Sequence, residues 1–252
     1  MNFNEIGEEI AIIKDNDNKK KKQLKVYITD DEDEHKHIKF FKELELSKNE
    51  KFYIIPDIKG DRDAIYIVGK NGSGKSYWIR DYVINYHNIH KKKPIYLFSS
   101  KKEDKNLDDL KYIKRVELDE SFVENPLEYE ELQDTFCIFD DIDALKGKLK
   151  DEIYYLRDTI LNNGRSYKID IISTSHDACG KINQTALNES HKIVFFLKNY
   201  NRTMKYFLEG YIGLEKEQIK KLRDNKTRAT TFIKSYPNVI IQERNAYILK
   251  DL

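Results

Sequence analysis

The sequence has few of the residues that stabilise secreted proteins and no stretch suited to a membrane span. Its 252 residues include two cysteines, Cys137 and Cys179, which are too few for a disulfide framework and are expected to be reduced intracellular thiols. Its longest apolar runs, such as residues 193–197, have the length of a strand and are too short to cross a bilayer. The first residues lack the basic start and apolar stretch of a signal peptide. These absences predict a soluble cytosolic protein that does not enter a membrane.

The sequence also has no excess of positive or of negative charge. The 45 Lys and Arg residues nearly balance the 44 Asp and Glu residues, which gives a formal net charge of +1. A protein that held nucleic acid alone by its bulk charge would usually be far more basic. This balance leaves room for a ring-shaped DNA motor, because each subunit of a ring needs to present only a few basic side chains to one duplex.

The apolar pattern divides the chain into a core and two flanking segments. Residues 1–60 carry a lysine run (19–22) and an acidic run (30–34), and we predict a β appendage with two short strands around a charged loop. Residues 61–198 alternate apolar runs with helical patterns, which is typical of a parallel sheet covered by helices. Residues 199–252 combine a helical pattern with strand-like runs and are predicted to be an α+β extension of that core.

The elements predicted for the core can be given as ranges. The first core strand is expected at residues 52–55 or 64–68. Further strands are expected at 94–98, 113–118, 135–139, 169–173 and 192–197, and helices at 76–88 and 151–162.

A phosphate-binding motif lies between the first core strand and the first core helix. Residues 69–76 match G-x-x-x-x-G-K-[ST], the Walker A pattern, in the strand-to-helix context that the motif requires. The glycines let successive backbone N–H groups point at phosphate oxygens, and the helix N-terminus adds partial positive charge. The residues predicted to bind nucleotide are Gly69, Asn71, Gly72, Ser73, Gly74, Lys75 and Ser76.

Individual roles follow from these residue types. Lys75 is predicted to reach the β- and γ-phosphates, and the Ser76 hydroxyl is predicted to ligate Mg²⁺.

A second motif is the apolar run 136–139, which ends in Asp140 and Asp141. This Walker B pattern places an anionic oxygen beside the P-loop, so we predict Asp140 as the second magnesium ligand. Asp141 is predicted to polarise the attacking water. Asp143 leaves a solvated acidic turn as the alternative interpretation of this segment.

Polar residues also end the next predicted strand. The run 171–172 is followed by Ser173, Thr174, Ser175 and His176. In P-loop ATPases with an extra strand between the P-loop and Walker B strands, a polar residue here senses the γ-phosphate. Thr174, Ser175 and His176 all remain candidates, and we select His176.

Arg165 stands just before that strand, in the segment Asn162-Asn163-Gly164-Arg165. An arginine on such a loop can face a neighbouring subunit's nucleotide and neutralise charge on the phosphoryl group in transfer. We predict Arg165 as this finger. Arg157 is the competing candidate, although its place on a helix favours an ordinary ion pair.

The order of these elements resembles the genome-packaging ATPases of large DNA viruses and virophages, which are similar to the FtsK/HerA superfamily of DNA-pumping ring motors. The resemblance covers about residues 65–197. Its most specific part is the segment 162–176, N-N-G-R-S-Y-K-I-D-I-I-S-T-S-H, because that group places a Gly-Arg-His or similar segment before an apolar strand with a polar end. Ser166 stands where the family often has histidine, and His176 stands where it often has glutamine.

The resemblance implies Mg²⁺-dependent ATP hydrolysis coupled to pumping double-stranded DNA into a viral capsid, at a portal or vertex. It implies a homo-oligomeric ring, hexameric or pentameric, in the viral factory of the host cytoplasm and also in the virion. The fold we predict is a three-layer α/β P-loop sandwich with a mainly parallel sheet in the order 5-1-4-3-2.

Two other classes of function also use a P-loop: ATPases that move no DNA, and nucleotide kinases or GTPases. A P-loop ATPase for assembly or secretion that moves no DNA would carry the same motifs. A GTPase is disfavoured because the chain has no Asn-Lys-x-Asp motif, since Asn225 and Lys226 are followed by Thr227 and Arg228. A small-molecule kinase is disfavoured because an acidic pair followed by a polar strand end suits water activation better than transfer to a small acceptor.

Overall fold

A computed structural model describes residues 1–15, 17, 23–56 and 62–252, apart from the side chains of Asn199 and Asp251. The lysine run 19–22 lies outside the described residues.

The chain forms two compact units, one made of Met1–Lys59 and Val194–Leu252 and the other of Gly60–Ile193. The strands are β1 (Glu8–Asp15), β2 (Leu24–Ile28), β3 (Glu43–Glu45), β4 (Glu50–Ile54), β5 (Ala64–Val68), β6 (Ile95–Ser99), β7 (Ile113–Arg115), β8 (Phe136–Asp140), β9 (Asp170–Ser175), β10 (Lys192–Phe195), β11 (Thr230–Ile233), β12 (Val239–Gln242) and β13 (Asn245–Ile248).

The helices follow the same chain order. They are α1 (Lys75–Ile89), α2 (Glu120–Glu124), α3 (Gly147–Asn163), α4 (Gln184–Glu189), α5 (Arg202–Tyr206), which continues into a π-helix (Phe207–Ile212), and α6 (Lys216–Asp224). Short 3₁₀ turns lie at Glu32–His35, Tyr129–Leu132, Ile142–Ala144, Lys181–Asn183, Leu197–Asn199 and Leu249–Asp251.

The sheet of the Gly60–Ile193 unit has the strand order β10-β5-β9-β8-β6-β7. Counted from β5, which precedes the P-loop, this is the predicted order 5-1-4-3-2, with β7 added outside β6. Every residue of β5, β8 and β9 is buried, as expected for parallel strands covered on both faces. The structure therefore confirms the predicted P-loop α/β fold.

The two long helices of this unit each bury one face. In α1 the buried apolar residues are Ile79, Tyr82, Val83 and Tyr86, which recur at the three- and four-residue spacing of a helix. In α3 the buried residues Ile153, Leu156 and Ile160 follow the same spacing. The apolar residues whose spacing predicted these helices are therefore the ones buried in the core.

Parallel pairing brings four loops to one edge of the sheet. β5 pairs with β9, β9 with β8, and β8 with β6, all in the same direction. Val68 is in register with Ser175, and Ser99 is in register with Asp140. The segments after β5, β6, β8 and β9 therefore leave the sheet side by side, as ligand-binding loops do in open α/β sheets.

The opposite edge of the sheet holds a buried charged cluster. Lys192 Nζ lies 2.5 Å from Asp63 Oδ2, which also accepts a hydrogen bond from the Tyr82 hydroxyl. The backbone N–H of Asp63 donates to Asp170 Oδ1, and Lys93 Nζ donates to Asp170 Oδ2 at 2.7 Å. These contacts tie the amino ends of β5, β9 and β10 together, so loss of one partner would leave a buried charge uncompensated.

The other unit contains two antiparallel arrangements. In the first, β1 pairs with β2 on one side and β4 on the other. In the second, β12 pairs with β11 and β13, and β13 also pairs with β3. The segments predicted as an appendage and an extension therefore lie in one compact unit. In residues 1–60 the sequence predicted two strands around a charged loop, and it named 52–55 as an alternative start of the core. The structure has β1 to β4 there, with β4 at Glu50–Ile54, and it adds β13, which was not predicted. The pairing of β13 with β3 joins segments far apart in the chain, and local periodicity carries no sign of it.

Candidate nucleotide-binding site

The P-loop leaves β5 at Gly69 and enters α1 at Lys75. The Gly69 N–H donates a 3.0 Å hydrogen bond to Ser175 O of the neighbouring strand. Gly72 and Gly74 have φ angles of 73° and 111°, in the left-handed region that glycine adopts without strain. A Cβ on Gly72 would meet nothing within 4 Å, so this position requires glycine for its backbone conformation and not for lack of space.

The Lys75 side chain is buried and turns back over the loop. Its Nζ donates a 2.8 Å hydrogen bond to Gly69 O and lies 3.6 Å from Asp141 Oδ1 and 3.4 Å from His176 Nδ1. Of the other predicted loop residues, Asn71 is exposed and Ser76 is half-buried. The Ser73 hydroxyl oxygen is buried without a hydrogen-bond partner. The loop therefore offers a lysine ammonium and an unpaired hydroxyl, both groups suited to an anionic ligand.

Asp140 is the last residue of β8 and is 1% exposed. Its Oδ1 accepts a 2.9 Å hydrogen bond from the Thr174 hydroxyl. Burial, and then the neighbouring charge of Asp141, raise the pKa of the Asp140 carboxyl to about 6. Among the described ion pairs none involves Asp140, so this buried carboxylate is suited to receive a cation.

Asp141 has a left-handed backbone, with φ of 52°, which aspartate tolerates better than most residues. Its Oδ1 is buried without a hydrogen bond, and its Oδ2 contacts Lys101 Nζ. Burial alone would raise the pKa of the Asp141 carboxyl, but the hydrogen bond from Lys101 and the charges of Lys75 and Lys101 outweigh it and hold this pKa below its ordinary value. Asp141 therefore stays ionised, with one oxygen directed toward Lys75.

All three sensor candidates are placed at this edge, and each has a different partner. The Thr174 hydroxyl joins the two acids, since it donates to Asp140 and accepts a 3.0 Å hydrogen bond from the Asp141 N–H. His176 Nδ1 lies 3.2 Å from Gly69 O, and its Nε2 lies 3.6 Å from Asp141 Oδ1. Ser175 faces away from both acids and donates to Asp143.

Asp143 is a hydrogen-bond centre and not a solvated turn residue. Its Oδ2 accepts hydrogen bonds of 3.1 Å from the Ser175 hydroxyl and from the His176 N–H. Its Oδ1 accepts a 2.5 Å hydrogen bond from the Tyr154 hydroxyl of α3. The turn after Walker B is thereby attached to the end of β9, which fixes the backbone of His176.

Arg165 is not brought to the P-loop of its own chain. It is exposed in the turn between α3 and β9, at the amino end of β9, whereas the P-loop lies at the carboxyl ends of the strands. At about 3.3 Å per strand residue the two edges are roughly 15–20 Å apart. The turn is built closely, because a Cβ on Gly164 would lie 2.5 Å from Ile160 O and 2.9 Å from Arg62 Nη1.

Arg157, the competing finger candidate, is an internal residue with 0% exposure. It pairs with Asp158 at 2.7 Å, as its helical position predicted, and donates to Ile182 O and Asn183 Oδ1. These contacts attach α3 to the turn before α4.

Sequence reasoning missed Ser100 and Lys101, which follow β6. The Ser100 hydroxyl donates a 2.6 Å hydrogen bond to Asp141 O, and Lys101 is the ion-pair partner of the Asp141 side chain. A usable signal was present, because the predicted order 5-1-4-3-2 places the strand before Ser100 next to the Walker B strand.

The residues present fit a magnesium ion shared with a substrate. Among the described residues no group of three or more His, Cys, Asp or Glu side chains is arranged to hold a metal. Magnesium in phosphate-transfer sites is usually held by one or two protein oxygens together with substrate phosphates and water. The buried Asp140 carboxylate and the Ser76 hydroxyl supply such oxygens.

Comparisons with known proteins give one relative in sequence and several likenesses in fold. The uncharacterized protein V3 of Sputnik virophage is 38% identical over 192 residues, which are 75% of this chain and 78% of that protein. The DNA-packaging ATPase B204 from Sulfolobus Turreted Icosahedral Virus has a similar fold, with a TM-score of 0.51 and 18% identity over 74% of this chain and 98% of that one. EssC (ATPases 2 and 3) from Geobacillus thermodenitrificans gives a TM-score of 0.50 and 14% identity over 98% of this chain and 46% of that one.

No protein-family model matches the sequence. In the described part of the chain, no helix combines the length and the apolar character needed to cross a bilayer.

Proposed function

Since this chain belongs to the protein family of Sputnik virophage V3, we propose that it is an ATP-hydrolysing motor of the FtsK/HerA-like kind that moves viral double-stranded DNA into the capsid. The observation that carries the proposal is the cluster at the carboxyl edge of the sheet. There Lys75 Nζ lies 3.6 Å from Asp141 Oδ1, beside the Asp140–Thr174 hydrogen bond.

In this proposal the P-loop backbone and Lys75 bind the phosphates of ATP. Phosphate oxygens would replace Gly69 O and Asp141 as partners of the Lys75 ammonium. Ser76 and Asp140 hold magnesium, which supplies positive charge to the phosphates. The raised pKa of Asp140 supports this role, because a cation nearby would restore the ionised form of a carboxyl that burial disfavours.

Asp141 is proposed as the base that orients the attacking water. Its Oδ1 is buried and makes no hydrogen bond with the protein, so this oxygen can accept a proton from water. His176 lies 3.6 Å from the same oxygen and 3.4 Å from Lys75 Nζ, and this proximity supports the proposal that its imidazole contacts the water and the γ-phosphate. Thr174 holds the two acids in their relative positions.

Arg165 is proposed to act on the ATP of the next subunit in a hexameric or pentameric ring. Its exposed place at the amino edge, away from its own P-loop, supports a role in trans. The partners in this proposal are double-stranded DNA and the portal or vertex of the capsid. The site of action is the viral factory in the host cytoplasm and the virion.

An assembly or secretion ATPase that moves no DNA is the second candidate. The nucleotide site would serve it equally, because Lys75, Asp140 and Asp141 act on phosphates, metal and water whichever macromolecule is the partner. The two functions differ in their macromolecular partner. We expect ATP hydrolysis to be stimulated by double-stranded DNA, and this is measured as phosphate release at saturating ATP with and without a linear duplex. Hydrolysis that does not respond to DNA would favour the second candidate.

A further inference from the structure

Lys101 contacts the predicted catalytic base from the side opposite the P-loop lysine. Its Nζ pairs with Asp141 Oδ2, while Oδ1 of the same carboxylate lies 3.6 Å from Lys75 Nζ. The Asp141 side chain is 7% exposed, whereas the Lys101 side chain is 46% exposed. A buried carboxylate is thus held by a lysine that reaches in from the surface.

The backbone around Lys101 is fixed beside Asp141. The Lys101 N–H donates a 3.2 Å hydrogen bond to the Ser99 hydroxyl, and the Ser100 hydroxyl donates to Asp141 O. Lys101 O accepts a 2.7 Å hydrogen bond from Arg115 Nη1 of β7. These main-chain contacts hold the backbone from which the Lys101 side chain reaches Asp141.

The surface segment after Lys101 is connected to the P-loop helix. Residues 102–111 are rich in both charges. The same Arg115 that binds Lys101 O also pairs with Asp108 at 2.6 Å, and Arg80 of α1 donates to Asn106 O at 2.5 Å. A shift of this segment would act on Arg115, whose hydrogen bond holds Lys101, and on the helix that begins with Lys75.

An ammonium group bound to Asp141 Oδ2 makes this carboxylate a weaker proton acceptor. It withdraws negative charge from the carboxylate and fixes the direction of its lone pairs. The partly exposed Lys101 ammonium can return to water when the pair opens, and the buried Asp141 carboxylate then still has Lys75 Nζ at 3.6 Å. These properties suit a reversible restraint better than a permanent structural contact.

We propose that Lys101 is a positioning residue that restrains Asp141 through this ion pair, and that opening of the pair frees the base for hydrolysis. The inference deepens the proposed function and rests on it, because the restraint acts on the proposed water-activating residue.

The test compares wild type with Lys101→Met, Lys101→Arg and Lys102→Met, each first shown to keep the wild-type melting temperature. Lys102→Met is the matched control, since it removes the charge of the exposed neighbouring lysine. For each protein kcat and KM for ATP are measured with and without linear duplex DNA. We expect Lys101→Met to raise kcat without DNA about three- to tenfold, with KM unchanged. Lys101→Arg and Lys102→Met should behave as wild type.

A Lys101→Met kcat at or below the wild-type value without DNA would overturn the restraint, as would an equal rise in Lys102→Met. Failure of the proposed motor function gives a different result: wild-type protein would then hydrolyse ATP at the same rate with and without DNA. In that case the comparison of Lys101→Met with wild type without DNA still decides the restraint. If neither protein hydrolyses ATP, both proposals are wrong.

Discussion

The Thr174 hydroxyl donates a 2.9 Å hydrogen bond to Asp140 Oδ1. The Thr174 hydroxyl oxygen also accepts a hydrogen bond from the Asp141 N–H. One buried side chain therefore fixes both acids of the Walker B motif. Thr174 lies on β9 and the acids end β8, and the parallel pairing of these strands brings the three residues together.

Thr174→Val should therefore impair both stability and turnover. The substitution keeps the side-chain shape but leaves the buried Asp141 N–H without this partner, which we expect to lower the free energy of unfolding by about 2 kcal/mol. Turnover should fall at least about tenfold, because the acids lose their relative placement. Urea denaturation and steady-state ATPase assays measure the two effects. Thr174→Ser keeps the hydroxyl and should stay near wild type. A loss in Thr174→Ser as large as that in Thr174→Val would show that the hydroxyl alone does not account for the effect.

Lys75→Ala should abolish nucleotide binding while the fold is kept. The lysine ammonium is the cation that the P-loop offers to phosphates, and its present partner Gly69 O can accept water instead. Calorimetric titration with ATP and Mg²⁺ measures the affinity, and circular dichroism checks the fold. An ATP affinity equal to that of wild type would show that the nucleotide site lies elsewhere.

Substitution of the two acids should separate their roles. Asp141→Asn is expected to bind ATP and Mg²⁺ normally and to lose most turnover, because an amide is a poor proton acceptor. Asp140→Asn is expected to require a much higher magnesium concentration for the same rate. Turnover measured against magnesium concentration distinguishes the two variants. A wild-type rate in Asp141→Asn would remove that residue from the role of base.

The pKa of Asp140 predicts how the stability of the metal-free protein depends on pH. This carboxyl titrates near pH 6 in the folded chain, above its ordinary value of 3.8. The folded state therefore favours the protonated form, and stability that is present below about pH 4 is lost as the pH rises through 6. Without magnesium, Asp140→Asn should be more stable than wild type at pH 8, by at most about 3 kcal/mol.

Thermal melting of both proteins in EDTA at pH 8 and at the lowest pH where both remain folded checks this prediction. The difference in melting temperature should shrink toward low pH, since wild-type Asp140 is then protonated. A constant difference across this range would contradict the raised pKa.

Arg165 is tested by mixing two inactive proteins. Arg165→Ala should bind ATP and oligomerise normally but hydrolyse slowly, because its P-loop is intact and lacks a neighbour's arginine. Mixing with Lys75→Ala should partly restore hydrolysis, since Arg165→Ala sites can then receive the arginine of a Lys75→Ala neighbour. The ATPase rate is measured across mixing ratios, with mixed rings verified by native mass spectrometry. Absence of any rescue would assign Arg165 a structural role at the sheet edge.

Much of the core was predictable because its signals are local. Strand β5 is an apolar run next to a glycine-rich turn, and α1 and α3 show helical apolar spacing. The acids that end β8 and the hydroxyls that end β9 were identified as site candidates for the same reason. Element ends differed from prediction by one residue in α1 and by four at the start of α3 (Gly147 against the predicted 151), where the first turn has two lysines and Leu149 as its single apolar residue.

The sequence by itself determined which residues can bind phosphate and metal, because the P-loop and the Asp140–Asp141 pair are contiguous motifs whose chemistry follows from residue type and spacing. Only the tertiary structure decided the partners of those residues. Strand order placed Lys101 against Asp141 and Thr174 between the two acids, and strand direction placed Arg165 at the edge away from the P-loop. The physical reason is that a parallel sheet brings together chain segments far apart in sequence, and no local pattern encodes which side chains then meet.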